Sequence, residues 1–170
     1  YSLHETDEDV SDPVTRGMLS YRETFTQTWN EELIFARYYP DASVWNSRVV
    51  PPRVFGVGLG GFTPTLKLED AYPMAGTGRY PISGYSADGK PVVDEASGYQ
   101  ADGFTEGWFH PTHTDKPIKV HNSMKGRDGR FYASIFFNGE YWIHPDGTKP
   151  EYKPVTFYTG GTSTFAHESG

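Results

Sequence analysis

Apolar positions along the chain cluster in a few short patterns separated by long polar stretches. Val14, Met18, Tyr21 and Phe25 recur at intervals of four, three and four, which gives a helix one apolar face. Asp12-Pro13 precedes them as a cap and first turn, so the pattern predicts a helix running to about Thr26. The acids before it, Glu5, Asp7, Glu8 and Asp9, read as a solvated lead-in. Glu32–Tyr39 is rich in β-formers and stops at Pro40-Asp41, which predicts a short strand. A long loop from Asp41 to Pro64 follows, then a two-turn helix over Thr65–Tyr72 with Thr63 or Thr65 as cap and Pro73 as stop.

From Ala75 to Arg127 neither period persists. Gly, Pro, Asp and Ser dominate, and the stretch reads as an irregular insertion at about 75–126 with one or two hairpins. Arg130–Asn138 then predicts the strongest strand, Asn138-Gly139 its turn, and Glu140–His144 the returning arm. Lys153–Tyr158 is a third strand candidate. The sum is an α+β, loop-rich piece with short helices and a small antiparallel hairpin, too little regular structure to close a core by the usual layer rules.

Composition sharpens this picture. Leu, Ile, Val and Phe make up only about a fifth of the 170 residues, but 11 Phe, 4 Trp and 12 Tyr supply large rings. The 19 Gly and 13 Pro account for the scarcity of long elements. A net charge of −7 without a Lys/Arg cluster argues against nucleic acid and against anionic membrane surfaces. The absence of Cys excludes disulfides, thiolate metal sites and a Cys nucleophile.

Most motif-like strings have plain readings. The glycines of 56–61 lack the helix that a phosphate loop needs, because Phe62-Thr63-Pro64 follows them. His110-Pro111-Thr112-His113-Thr114-Asp115 places two imidazoles and a carboxylate close in sequence. Its Pro breaks a helical display and no third ligand is indicated, so exposed loop histidines without a metal are expected. Asp88-Gly89, Asp102-Gly103, Asp128-Gly129 and Asp146-Gly147 are turns by default. Pairs among Glu69, Asp70, Asp94, Glu95, Glu106 and Glu140 keep open a secreted carbohydrate-active enzyme domain that uses two carboxylates. A structural module with its rings in the core is a third reading. Aromatic recognition is the remaining chemistry: Tyr38, Tyr39, Trp45 and Asn46, with Arg48, sit where rings stack on apolar C–H faces and polar groups meet hydroxyls or carbonyls.

Several segments occur in one telling order. They are Trp29-Asn30-Glu31-Glu32-Leu33-Ile34-Phe35, then Thr63-Pro64-Thr65 leading to Tyr72-Pro73-Met74, then Arg127-Asp128-Gly129-Arg130-Phe131-Tyr132-Ala133-Ser134-Ile135 with Asn138-Gly139, and Tyr158-Thr159-Gly160-Gly161. Their succession over about 15–165 resembles the SusD/RagB-like outer-membrane nutrient-binding lipoproteins of Bacteroidetes, with Gly129 standing where that family usually has Pro. The resemblance implies that residues 1–170 are a single piece, the middle-to-C-terminal part of a SusD-like domain built on a larger helical-repeat (TPR-like) scaffold. It implies a non-enzymatic surface component, its lipid anchor outside this piece, that captures oligosaccharide or peptide. Its partners would be a SusC-like TonB-dependent transporter and the remaining part of its own polypeptide, with no cofactor and no nucleic acid. Tyr39, Trp45, Asn46 and Arg48 are the ligand contacts so implied, while Asp70 and Arg130 would be architectural.

Overall fold

The computed structural model describes residues 3–27, 29–32, 48–51, 60, 63–111, 113–141, 154–158 and 160–161. Among these, helix α1 spans Pro13–Thr26, α2 Leu66–Asp70 and α3 Gly129–Ser134. Strands β1 (Ile82–Tyr85) and β2 (Pro91–Val93) form one antiparallel hairpin, and β3 (Phe104–His110) and β4 (His113–His121) form a second. The class is therefore α+β with short helices. Residues 75–126, expected to be irregular with one or two hairpins, contain both ribbons.

Asp12 caps α1 as its position predicts, its carboxylate accepting from the Thr15 N–H at 2.7 Å, with Pro13 in the first turn. The buried side of α1 is shifted from the predicted stripe. Met18 and Leu19 are buried and Val14 and Tyr21 half-buried, whereas Phe25 is 72% exposed and lies edge to face with Tyr21. The lead-in is also more than a solvated tail. Its acids Glu5, Asp7, Glu8 and Asp9 are exposed as expected, but the alternate residues His4 and Thr6 dock on α1.

Thr65 caps α2, accepting from the Leu68 N–H at 3.3 Å. The strongest predicted strand, Arg130–Asn138, is overturned: its first half is α3. Asp128 caps that helix by accepting from the Arg130 N–H at 2.9 Å, and the Arg130 guanidinium clasps the same carboxylate at 2.7 and 3.3 Å. Consecutive residues Phe131 and Tyr132 are both buried, along with Ile135. A strand would send one of each neighbouring pair outward, whereas a helix packs all three on one flank. The Asn138-Gly139 turn does form, with the Glu140 N–H donating to Phe137 O at 3.2 Å. Among the described residues, the start of the predicted Glu140–His144 arm pairs with residues 154–155, not with Arg130–Asn138. Gly139 and Glu140 exchange backbone bonds of 2.8 Å with Val155, and Tyr141 bridges to Pro154. The third strand candidate thus contributes a short bridged segment. Residues 33–39 of the first predicted strand and 142–144 of the arm lie outside the described residues.

One core joins α1, β4 and α3 through Met18, Leu19, Ile118, Val120, Phe131, Tyr132, Ile135 and Phe137. The tightest approach in it is glycine-made. A Cβ on Gly129 would stand 2.3 Å from Val14 O and 2.6 Å from Met18 N, so Asp128-Gly129 is a helix start pressed against α1, not the turn its sequence suggests.

Arg127 anchors the other side of this core and is 0% exposed. Its Nε donates to Ser123 O at 3.0 Å and its Nη1 to Tyr72 O at 3.1 Å, while its guanidinium lies 5.0 Å over both the Tyr99 and Phe131 rings. Nη2 stands 3.7 Å from Glu69 Oε1, an ion pair too long for a hydrogen bond. Burial raises the carboxyls of Glu69 and Asp70 above their usual range, and the nearby Arg127 charge opposes that shift. Within this segment the buried hub is Arg127, while the Arg130 side chain bonds to Asp128.

Candidate functional site

The β3–β4 ribbon and the bridged segments 138–141 and 154–158 face each other across a groove of about 790 Å³. The walls meet closely because of Gly139: it has φ +96°, and a Cβ there would stand 2.7 Å from Lys119 O. Neither demand suits any other residue. Beneath this junction, His110 at the end of β3 pairs with Glu140, Nε2 to Oε1 at 3.1 Å, and Glu140 Oε2 accepts from the Phe137 N–H at 3.2 Å. Burial raises the Glu140 carboxyl above its usual range, and the His110 contact opposes that rise. His110 is accordingly not the exposed loop histidine its sequence suggests. It is buried among Trp108, Tyr132 and Phe137. Among the described residues no three His, Asp or Glu side chains come together as a metal site.

Rings dominate the groove walls. Phe104 (61% exposed) stands on the ribbon side, and Tyr141, Phe157 and Tyr158 (62% exposed) on the other. Two of these rings are braced from behind, Phe104 by His121 at 5.0 Å and Phe157 by Phe136 at 6.2 Å, both edge to face. Exposed rings held in place offer flat apolar faces at little entropic cost on binding.

The polar groups are few. Asn138 Oδ1 accepts from the Phe157 N–H at 2.8 Å, which fixes the orientation of the side-chain amide. Lys119 Nζ lies 5.5 Å over the Phe104 ring and 2.7 Å from Glu106 Oε1. The Glu106 carboxylate holds the Lys119 ammonium above the usual lysine range.

A family comparison decides what kind of protein carries this groove: the SusD family model matches residues 20–168. The chain belongs to the SusD family. Members of that family are nutrient- and glycan-binding components of the outer membrane, binding proteins rather than enzymes. No curated protein and no solved structure matches the chain.

Of the four ligand contacts that the SusD resemblance implies, Arg48 is exposed in a short helical turn and does not line the groove. Tyr39, Trp45 and Asn46 lie outside the described residues. The groove residues escaped the sequence reading because they come from four separate segments, β3, β4, 138–141 and 154–158. The one local signal was the adjacent ring pair Phe157-Tyr158, in a strand candidate where one of two neighbours must face outward. No described helix is long and apolar enough to cross a membrane.

Proposed function

We propose that this SusD-family chain is the surface nutrient-binding component of a TonB-dependent outer-membrane uptake system, capturing oligosaccharide or peptide and passing it to a SusC-like transporter. The observation that carries this reading is the ring-walled groove. Its described lining consists of rings, prolines and aliphatic surface with a lysine, an asparagine and a threonine as polar side chains. Such a set stacks on apolar faces and bonds to hydroxyls or carbonyls. Cleavage of a glycosidic bond calls instead for two carboxyl groups facing each other at roughly 5–9.5 Å. Tyr39, Trp45, Asn46 and Arg48 form a second proposed contact set, later in the sequence than α1. The site of action proposed for the chain is the bacterial outer-membrane surface.

The test is calorimetric titration with a panel of neutral oligosaccharides and peptides, on the wild type and on Tyr158→Ala and Trp45→Ala. A ligand whose affinity falls about tenfold or more in either variant, with unchanged thermal melting, is the expected result. Release of reducing ends from any glycan, abolished by a single carboxylate substitution, would overturn the reading in favour of a hydrolase.

A further inference from the structure

The groove's described lining contains a single cation, Lys119, and that cation is already spoken for. Glu106 on β3 reaches across the ribbon to Lys119 on β4, so the ammonium meets an incoming ligand with a carboxylate 2.7 Å away. Phe104 lies beneath the same ammonium at 5.5 Å, and Tyr158 faces it from the opposite wall. A ligand anion that bonds to Lys119 must therefore stand within a few ångströms of a second negative charge, in a protein whose net charge is −7. A hydroxylated ligand has no such conflict. An ammonium and a carboxylate side by side present donors and acceptors together, and neighbouring sugar hydroxyls each donate and accept.

Building on the binding role proposed for this groove, we propose that Glu106 is a specificity-determining residue: paired with Lys119, it makes the site select uncharged oligosaccharides and reject those bearing carboxylates. The pair suits this task because it contributes little to the fold. Both side chains are well exposed, 59% for Lys119 and 73% for Glu106, so an isolated pair of this kind is removable without loss of structure. Its effect belongs to the ligand, whose charge is brought close to Glu106 against the apolar walls of the groove.

The experiment uses the whole chain and matched probes: hexasaccharides of glucose and mannose, and the same hexamers with their C6 hydroxyls oxidised to carboxylates. The wild type is expected to bind a neutral hexamer roughly tenfold more tightly than its oxidised form. Glu106→Gln, which keeps an acceptor and removes the charge, is expected to raise affinity for the oxidised hexamer about fivefold while leaving the melting temperature in place. That gain should fade in ~0.5 M NaCl, because the contacts are exposed and screened. Lys119→Met is expected to weaken both forms. An unchanged neutral-to-acidic ratio in Glu106→Gln overturns the role of Glu106 while leaving the groove a binding site. Uncharged peptides binding where no hexamer does overturns the sugar assignment. No binding of any probe by any variant defeats the ligand-binding reading itself, and the selectivity with it.

Discussion

Gly129→Ala sets two rules of equal generality against each other. By backbone propensity the change should help, since Ala exceeds Gly in a helix by up to about 1 kcal/mol, and less at the first helical position that Gly129 occupies. By packing it should harm. The new methyl would meet Val14 O at 2.3 Å, Met18 N at 2.6 Å and Gly17 C at 3.1 Å, all of them backbone atoms of α1. A side chain in the way would swing aside, but a helix backbone must move as a body and carry Met18 and Leu19 out of the core with it. Overpacking of this kind costs on the order of 1–3 kcal/mol, and contacts this short belong at the upper end. Net destabilisation of about 2 kcal/mol is expected, a loss of roughly 4–8 °C in melting temperature for a domain of this size. Urea unfolding followed by both far-UV dichroism and tryptophan fluorescence measures it, and an unchanged slope with a lowered midpoint places the effect in the native state. A variant as stable as the wild type, or more so, would refute the α1–α3 approach described here. Gly129→Pro sharpens the contrast, because Pro is favoured at a first helical position. It is nonetheless expected to be worse than Ala, since it adds a ring where even a methyl does not fit.

Arg127→Met leaves Ser123 O and Tyr72 O without their donor and the Glu69 carboxylate without its cation, so a loss of roughly 3–5 kcal/mol in chemical denaturation is expected. His4 is held by Glu23 at 2.9 Å and Glu31 at 3.2 Å, and those carboxylates raise its pKa above 6.5. A raised imidazole stabilises fully below its unfolded value and loses that contribution as pH rises through the folded one. Glu23, lowered from 4.5 chiefly by His4, behaves oppositely and loses its contribution on acidification. The lead-in should therefore grip α1 best between these limits and loosen above pH 6.5, read from hydrogen exchange at the Thr6 amide, which donates to Ser20 Oγ. A protection profile flat from pH 5 to ~9 would count against the clasp. Gly139→Ala combines a positive φ with a 2.7 Å approach to Lys119 O, and should open the groove. A drop of at least tenfold in ligand affinity, or misfolding seen by dichroism, is the expected outcome.

The parts of the fold legible in the sequence are those fixed by neighbours in the chain. Asp12-Pro13 and Thr65 declare helix starts because a cap is made within three residues. Asn138-Gly139 declares a turn for the same reason. Phe131-Tyr132-Ala133-Ser134-Ile135 misled because its β-forming rings suit a strand by propensity, while its fate was set by Asp128 before it and α1 more than a hundred residues upstream. Tertiary contacts of that separation leave no local mark. Arg127 was hidden likewise: a basic residue beside Asp128 and Arg130 reads as surface charge, and only the closing of Tyr72, Tyr99 and Ser123 around it makes it the buried hub.

The same logic governs the rings, which composition alone could not divide between core and surface. The core takes those whose flat sides meet other rings on several faces: Trp108, Phe131, Tyr132 and Phe137 cluster with His110 between them. The groove keeps those with fewer ring neighbours among the described residues, Phe104 edge to face with His121 and under the Lys119 ammonium, and Phe157 edge to face with Phe136, both still exposed. His110–Glu140 lies at the boundary of the two populations, tying β3 to the turn whose next residues wall the groove. The buried half of this aromatic set therefore positions the exposed half. Truncating a core ring such as Phe137 should cost binding and stability together, while truncating Tyr158 should cost binding alone. Finding both variants equally destabilised would place Tyr158 in the core and remove the groove as a recognition surface.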